Sequence, residues 1–237
     1  MRRQSGSRTR GARSLPACAV LAAGAATVVG LAPGGLGTEQ AVEVTDGASA
    51  SVYRSLTGAV DDVPAWAGTV LEAACDGALV VLGLLLVWVW WCAVRRGDTR
   101  VSAGAVLTGT GAVLAYAISE AVKLVVDEER PCRVLLRGAA AVAECPPPGD
   151  WSFPSNHATL AAGLGVGLAL LRPRLAAVTL PLAAAAALLR VLVGAHYPHD
   201  VLAGAVLGGS VAAAVLFAFL PLARAAASAL GVLTRSV

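Results

Sequence analysis

The fold is decided by residues 155–222, which read SNHATLAAGLGVGLALLRPRLAAVTLPLAAAAALLRVLVGAHYPHDVLAGAVLGGSVAAAVLFAFLPL. Three apolar runs follow one another here, at 155–171, 175–193 and 200–222, with few polar residues between them. A membrane-spanning helix needs about 20 mostly apolar residues, so each run is close to one span in length. The stretch therefore predicts three consecutive membrane helices joined by short turns.

Three further apolar runs precede this stretch, at 15–36, 66–94 and 101–126. The run at 66–94 ends in a tryptophan-rich segment before Arg95 and Arg96, which is typical of a membrane interface. Only 14% of the 237 residues are charged, against about 25% in soluble domains. The composition excludes an ordinary soluble enzyme and predicts an all-α integral membrane protein with six transmembrane helices.

The predicted organisation is one membrane domain at 15–222 between a basic N-terminal tail, 1–14, and a C-terminal tail, 223–237. Its two long connections are 37–65, with a short interfacial helix around 52–60, and 127–154. The basic start before the first apolar run also fits a cleaved signal peptide. We favour a retained helix because the run is long for a signal peptide.

The basic residues are divided unevenly between the two predicted membrane faces. With the N-terminus in the cytoplasm, twelve of the eighteen Lys and Arg residues lie on the cytoplasmic side, together with a single acidic residue, Asp98. The positive-inside rule therefore predicts that both termini are cytoplasmic. Nucleic acid is not an expected partner, because no basic stripe with interleaved aromatic residues is present.

The first candidate functional cluster is Lys123-x6-Arg130-Pro131, at the outer end of the third predicted helix. Two cations at an interface can simply extend their charged groups into water. Alternatively, they form a phosphate clamp in which the Lys is a point charge and the Arg a bidentate fork.

The second cluster is Pro154-Ser155-Asn156-His157, which opens the fourth predicted helix. Ser155 fits an N-cap, and Pro-Ser is in any case a good helix start. The same geometry suits an anion, because the first N–H groups of a helix are unpaired. His157 would lie beside that anion.

The third cluster, Arg190-x5-His196-x3-Asp200, spans the turn between the fifth and sixth predicted helices. His196 and Asp200 are four residues apart, so their side chains can meet. The carboxylate can then hold the imidazole in one tautomer and stabilise its cationic form. A single histidine at an interface can also be no more than a polar cap.

All three clusters fall on the same predicted face, and together they suit phosphoryl transfer through a phosphohistidine. No carboxylate cluster suggests a two-metal site, so neither a metal nor another cofactor is expected. The three clusters, in this order and at these spacings, closely resemble the three-part signature of the type 2 phosphatidic acid phosphatase superfamily, which also includes haloperoxidases. The resemblance implies a helical bundle of that family, with the site on the extracytoplasmic side of a bacterial membrane.

The resemblance also implies the roles of individual residues. His196 would be the nucleophile, Asp200 would orient it, and His157 would protonate the leaving oxygen. The phosphate would be held by Lys123, Arg130, Arg190, Ser155 and the backbone N–H of Asn156. The chain departs from the family pattern at Leu189, where Ser is usual, and at Asn156, where Gly is usual. We expect activity to survive both departures and substrate preference to change.

The expected function is hydrolysis of a lipid phosphomonoester or diphosphate, such as polyprenyl diphosphate, phosphatidic acid or phosphatidylglycerol phosphate. One alternative is a transferase that passes the phosphoryl group to an acceptor other than water. Another is a non-catalytic anion-binding or transport protein. The His196–Asp200 pair argues against the second alternative, because anion binding alone does not require it.

Several neighbouring residues have weaker assignments. Two cysteines, Cys132 and Cys145, share the outer loop, where thiols are oxidised, and are predicted to form a disulfide. Glu120 is expected to pair with Lys123, and the acidic run 127–129 to be solvated. Asp76 is expected to be an interfacial carboxylate with only a weak case for a function. His199 is expected to be either structural or a substrate contact. Trp151 and Phe153 are expected to rest at the membrane interface or to guide a lipid tail.

Overall fold

The computed structural model describes residues 5–37, 41–60, 63–135 and 145–234, and describes side chains between 15 and 223, apart from residue 65. Over these ranges the chain forms eight α-helices and a 3₁₀ turn, and its only β-type pairing is an isolated bridge between Val42 and Glu128. The helices are α1 Ser5–Leu31, α2 Gly47–Gly58, α3 Ala65–Arg95, α4 Thr99–Lys123, α5 Pro131–Val134, α6 Asn156–Leu171, α7 Ala176–Leu192 and α8 Pro198–Thr234, with the 3₁₀ turn at Pro173–Leu175.

The all-helical prediction is confirmed for these residues. Four segments are long and apolar enough to cross a membrane, namely Trp66–Arg95, Thr99–Lys123, Pro173–Leu192 and Pro198–Ala223. Two further apolar helices, Leu15–Leu31 and Asn156–Leu171, are shorter. The predicted count of six spans therefore stays a prediction.

Helix boundaries differ from the predicted runs at both ends of the chain. Helix α1 already begins at Ser5, and α8 continues to Thr234, inside the predicted tail. The short helix expected around 52–60 is α2, at Gly47–Gly58. Part of the charge asymmetry falls on side chains outside the described residues, namely Arg2, Arg3, Arg8, Arg10, Arg13, Arg137, Arg224 and Arg235.

Helix α8 lies at the centre of the bundle, where it packs against α1, α4 and α6. Two glycines on one face of α8, Gly204 and Gly208, allow the close approach of α6. A Cβ atom at Gly208 would overlap the carbonyl oxygen of Thr159, and one at Gly204 would overlap that of Ser155. Small residues at such positions let two membrane helices come close together.

Helix α2 packs against the turn that joins α7 to α8. The buried Tyr53 donates a hydrogen bond to the carbonyl of Gly194 at 3.0 Å. Tyr197 lies with its ring 5.6 Å from that of Tyr53 and donates to the carbonyl of Val44 at 2.7 Å. The connection between α1 and α3 therefore covers the turn that carries His196.

Candidate active site

Five of the predicted site residues lie at the same end of the helical bundle. Lys123 ends α4, His157 is in the first turn of α6, Arg190 is in the last turn of α7, and Asp200 is in the first turn of α8. His196 occupies the turn between α7 and α8. The short α7–α8 connection and the close α6–α8 contact bring the second and third motifs together, and the backbone N–H of Ser155 donates to the carbonyl of Asp200 at 3.1 Å.

Asp200 supports His196 from its buried side. The two side chains are 0% and 3% exposed, and Oδ2 of Asp200 lies 3.4 Å from Nδ1 of His196. The same oxygen accepts hydrogen bonds from the backbone N–H of Tyr197, at 2.9 Å, and from the hydroxyl of Ser152. Sequence reasoning did not identify Ser152, because a serine in a loop carries no motif signal.

The other ring nitrogen of His196 is directed at Arg130. The Nη1 atom of Arg130 lies 3.2 Å from Nε2 of His196 and also donates to the carbonyl of Ala195. Arginine only donates hydrogen bonds, so Nε2 carries the lone pair and Nδ1 carries the proton. Burial is the main cause that lowers the pKa of His196, to about 3; Asp200 opposes the shift, and Arg130 and Arg190 add to it. The imidazole is therefore neutral at physiological pH, and its Nε2 lone pair accepts a hydrogen bond from Arg130.

Asp150, a carboxylate that was not predicted from the sequence, pairs with the two cations of the first motif. Its Oδ1 atom lies 2.9 Å from Nη2 of Arg130 and 3.8 Å from Nζ of Lys123. Its backbone carbonyl accepts from Nε of Arg130 at 2.8 Å. Burial raises the pKa of Asp150, but the hydrogen bond and charge of Arg130 outweigh burial and hold the pKa below its ordinary value. A negative group therefore already occupies the expected phosphate clamp.

The residues that open α6 combine free and committed polar groups. Ser155 occupies the N-cap position but makes no side-chain capping bond, and its buried Oγ has no hydrogen-bond partner among the described residues. The Asn156 amide is committed, because its Oδ1 accepts from Ser119 at 2.7 Å and its Nδ2 donates to Glu120 at 2.6 Å. Glu120 also lies 3.3 Å from Nζ of Lys123, which is the pair expected from the sequence. Of the described groups at this helix start, the hydroxyl of Ser155 and the first backbone N–H groups of α6 remain for a ligand.

His157 and Arg190 are the remaining two residues of the predicted site. Nε2 of His157 lies 2.9 Å from Oδ1 of Asp76, about three turns into α3, so this carboxylate pairs with a predicted catalytic residue. Nε of Arg190 is buried and has no hydrogen-bond partner among the described residues. A buried guanidinium N–H without an acceptor is costly, so this group is suited to an incoming anion.

The structure corrects the expectation of a solvated acidic run at 127–129. Glu128 is 0% exposed and lies within hydrogen-bond distance of His199. Phe153 is also fully buried, with its ring 6.1 Å from that of His199, so it neither rests at an interface nor guides a lipid tail. Glu128 is buried beside His199 and Asp200 in the first turn of α8, and Phe153 packs with apolar residues of α1, α4 and α8. Neither environment has a local sequence signal.

Cys132 and Cys145 are bonded to each other in the structure, with their Cα atoms 5.9 Å apart. Arg133 donates to the carbonyls of Pro146 and Pro147, which adds polar contacts beside the disulfide. Together these contacts hold the chain that leads into Asp150 and Ser152 against α5.

Within the described part of the chain, two groups of side chains have potential metal-ligand atoms within 4.8 Å of one another: Cys75, Asp76 and His157, and Glu128, His199 and Asp200. Each group contains one of the predicted catalytic residues. In both groups the histidine nitrogen is already within 3.3 Å of a carboxylate oxygen. A direct interaction between the side chains thus accounts for each cluster.

Comparison with known proteins gives a consistent picture. Residues 104–223 match the family model described as the PAP2 superfamily. The chain is 38% identical over 111 residues to decaprenylphosphoryl-5-phosphoribose phosphatase of Mycobacterium tuberculosis, which is 46% of this chain and 58% of that protein. It is 42% identical over 69 residues to lipid A 1-phosphatase of Rhizobium etli, which is 28% of this chain and 30% of that protein. The matches thus span less than two thirds of either relative.

Among solved structures, the chain is similar to the first transmembrane PAP2 type phosphatidylglycerolphosphate phosphatase from Bacillus subtilis. The superposition has a TM-score of 0.49 at 18% sequence identity, and covers 84% of this chain and 93% of that chain.

Proposed function

Because the chain belongs to the PAP2 superfamily, we propose that it is a membrane-embedded phosphatase that releases phosphate from a lipid phosphomonoester or diphosphate. The observation that carries the proposal is the state of His196. Its Nε2 lone pair lies 3.2 Å from the Arg130 guanidinium, and Asp200 lies behind its Nδ1. A neutral imidazole with a carboxylate behind it and a cation in front is suited to attack a phosphorus atom that the cation holds.

In the first step, Nε2 of His196 bonds to phosphorus while the bond from phosphorus to the lipid oxygen breaks. The leaving oxygen takes a proton from His157, so the lipid departs as an alcohol or, from a diphosphate, as a monophosphate. The phosphohistidine carries a positive charge on its ring, which the Asp200 carboxylate stabilises through Nδ1–H.

In the second step, water attacks phosphorus and the P–N bond breaks. His157 is now neutral and accepts the proton of the attacking water, which restores its acid form for the next cycle. Inorganic phosphate leaves, and His196 regains its lone pair. The charge on the transferring group would be balanced by Lys123, Arg130 and Arg190, with the Ser155 hydroxyl and the N-terminus of α6 as further donors.

A lipid substrate is supported by the position of the site at one end of a bundle of apolar helices. The two curated relatives are named for phosphate groups on a decaprenylphosphoryl pentose and on lipid A. We therefore add a polyprenyl-linked sugar phosphate to polyprenyl diphosphate, phosphatidic acid and phosphatidylglycerol phosphate as candidate substrates.

The proposed topology has six spans, with α1 and α6 as the two short ones, in a bacterial cell membrane. Helices α4 and α8 begin or end at the site, and Arg95, Arg96, Arg100, Arg172 and Arg174 lie at the opposite ends of the helices. With those arginines in the cytoplasm, the site faces the extracytoplasmic side.

Phosphate release from the four candidate lipids by the full chain in detergent, with excess chelator, tests the proposal. We expect chelator-resistant release by the wild type and none by His196→Gln, with both proteins showing a cooperative melting transition. Activity that survives His196→Gln would show that another group is the nucleophile. Phosphoryl transfer to an added alcohol without release of free phosphate would favour a transferase instead.

A further inference from the structure

We propose that Glu128 and His199 are positioning residues, a buried acid–imidazole pair that holds Oδ1 of Asp200 so that Oδ2 stays directed at His196. The inference rests on the proposed role of His196 as nucleophile. Neither residue belongs to the three motifs that predicted the site.

The imidazole of His199 is held at both nitrogens. Nδ1 lies 2.6 Å from the hydroxyl of Ser49 on α2. Nε2 lies 3.0 Å from Oε1 of Glu128 and 3.2 Å from Oδ1 of Asp200. Carboxylate oxygens accept hydrogen bonds, so Nε2 carries a proton. It donates to Oε2 of Glu128 at 3.3 Å, with Oδ1 of Asp200 close beside it.

One N–H group cannot satisfy all the oxygens that surround it. Oε1 of Glu128 and Oδ1 of Asp200 are buried and have no hydrogen bond of good geometry, although both lie close to Nε2 of His199. Both carboxyl groups are 0% exposed. An oxygen of Glu128 lies within 4.8 Å of an oxygen of Asp200. Two buried carboxylates this close repel each other strongly, so one of them holds a proton.

That proton belongs on Glu128. Burial is the largest cause that raises the pKa of Glu128, and the charge of Asp200 raises it further. Asp200, in contrast, accepts hydrogen bonds from Tyr197 and Ser152, which stabilise its charged form. A neutral Glu128 that donates to Asp200 would satisfy both orphaned oxygens and leave the negative charge on the residue behind the nucleophile.

The pair is also fixed by packing, which gives it a defined position. The His199 ring stacks on Tyr197 at a centroid distance of 5.4 Å and lies 6.1 Å from that of Phe153. The cluster therefore joins α2, the connection after α4 and the first turn of α8. A carboxylate clamped on both oxygens cannot rotate away from His196, which preserves the alignment that the reaction needs.

Two pairs of variants separate hydrogen bonding from packing. His199→Phe keeps a ring between Tyr197 and Phe153 but removes the N–H donor, whereas His199→Gln keeps a donor and loses the ring. Likewise, Glu128→Leu removes the proton donor, and Glu128→Gln keeps an N–H. We expect His199→Phe and Glu128→Leu to lower kcat about tenfold or more, with KM changed less than about twofold. The two Gln variants are expected to keep most of the wild-type kcat.

Tyr53→Phe is the matched control, since it removes a buried hydroxyl whose hydrogen bond goes to Gly194 rather than to Asp200. It is expected to lower the melting temperature without changing kcat. If His199→Phe and Glu128→Leu also lose only thermal stability and keep the wild-type kcat, the positioning role is wrong.

A second measurement does not depend on activity, so it distinguishes failure of this inference from failure of the proposed function. The chain contains three histidines, so ¹⁵N-histidine NMR of the full chain in detergent is simple to assign with one substitution per histidine. We expect the Nδ1 and Nε2 signals of His196 to shift in Glu128→Leu and in His199→Phe, but not in Tyr53→Phe. Unchanged His196 signals in both variants would overturn the inference even if phosphatase activity is found.

Discussion

Oδ1 of Asp76, on α3, lies 2.9 Å from Nε2 of His157, on α6. The contact gives the predicted general acid a carboxylate partner that lies outside the three motifs. The Asp76 side chain is 69% exposed, so the ion pair contributes little to stability. Its expected effect is to orient the imidazole of His157 and to favour the protonated form that the first step needs.

Asp76→Asn should therefore lower kcat most for substrates whose leaving group must be protonated. An alkyl phosphate releases an alkoxide, a poor leaving group that needs the proton, whereas a nitrophenyl phosphate releases a stable nitrophenolate that does not. We expect Asp76→Asn and His157→Gln to slow hydrolysis of the alkyl substrate about tenfold or more, and that of the aryl substrate much less. Glu72→Gln, one turn earlier on α3, is the control; equal losses on both substrates would contradict an acid role.

Asp150→Asn should strengthen substrate binding. The Asp150 carboxylate lies on Arg130 and Lys123, so a phosphate must displace it or bear its repulsion. We expect the variant to lower KM about threefold to tenfold, with the larger effect on a diphosphate because it carries more charge. Glu129→Gln, which neutralises a carboxylate paired with Arg133 at 2.8 Å, should leave KM unchanged. An unaltered KM in Asp150→Asn would mean that the segment carrying Asp150 moves away from Arg130 and Lys123 before the substrate binds.

The buried His196 makes stability depend on pH. Its pKa is about 3 in the folded chain, against about 6.5 in an unfolded chain. Between these values the unfolded chain binds a proton that the folded chain does not, so stability falls as the pH drops below about 6.5. The loss is about 1.4 kcal/mol per pH unit.

The melting temperature of His196→Gln, measured in detergent from about pH 7 to about pH 4.5, should thus fall less steeply than that of the wild type. Parallel curves would show that His196 titrates as an ordinary imidazole in the folded protein.

Gly208→Ala should disrupt the contact between α6 and α8. The added methyl group would overlap the carbonyl oxygen of Thr159, and a helix backbone cannot yield as a side chain does. We expect a loss of about 1–3 kcal/mol in stability, together with lower kcat, because the same contact places Ser155 beside Asp200. Gly83→Ala is the control, since nothing lies within 4 Å of a Cβ atom at that position of α3.

Breaking the Cys132–Cys145 disulfide should loosen the segment that carries Asp150 and Ser152. In the chain-entropy model a loop of about 14 residues contributes roughly 3 kcal/mol. We therefore expect the double variant with both cysteines changed to Ser to melt at a lower temperature, whereas Cys92→Ser should not. Mass spectrometry that finds both thiols free in protein from an oxidising compartment would refute the linkage.

The membrane helices and the three motifs could be predicted because their signals are local. An apolar run of sufficient length predicts a membrane helix whatever residues pack against it. The i, i+4 spacing alone brings His196 within reach of Asp200. The predicted outer ends of the helices also placed Lys123, His157 and Arg190 on one face before any contact was known.

The environment of the site had no such signal. Glu128 reads as part of a solvated acidic run, but it is buried beside His199 and Asp200 in the first turn of α8. Asp76 and His157 are 81 residues apart, and Asn156 contacts Ser119 and Glu120 only because α4 packs against α6. Burial and charge pairing of this kind depend on how distant helices pack. Apolar runs and short-range spacing therefore predicted the helical bundle and the three motifs, while long-range packing set the partners of each predicted catalytic group.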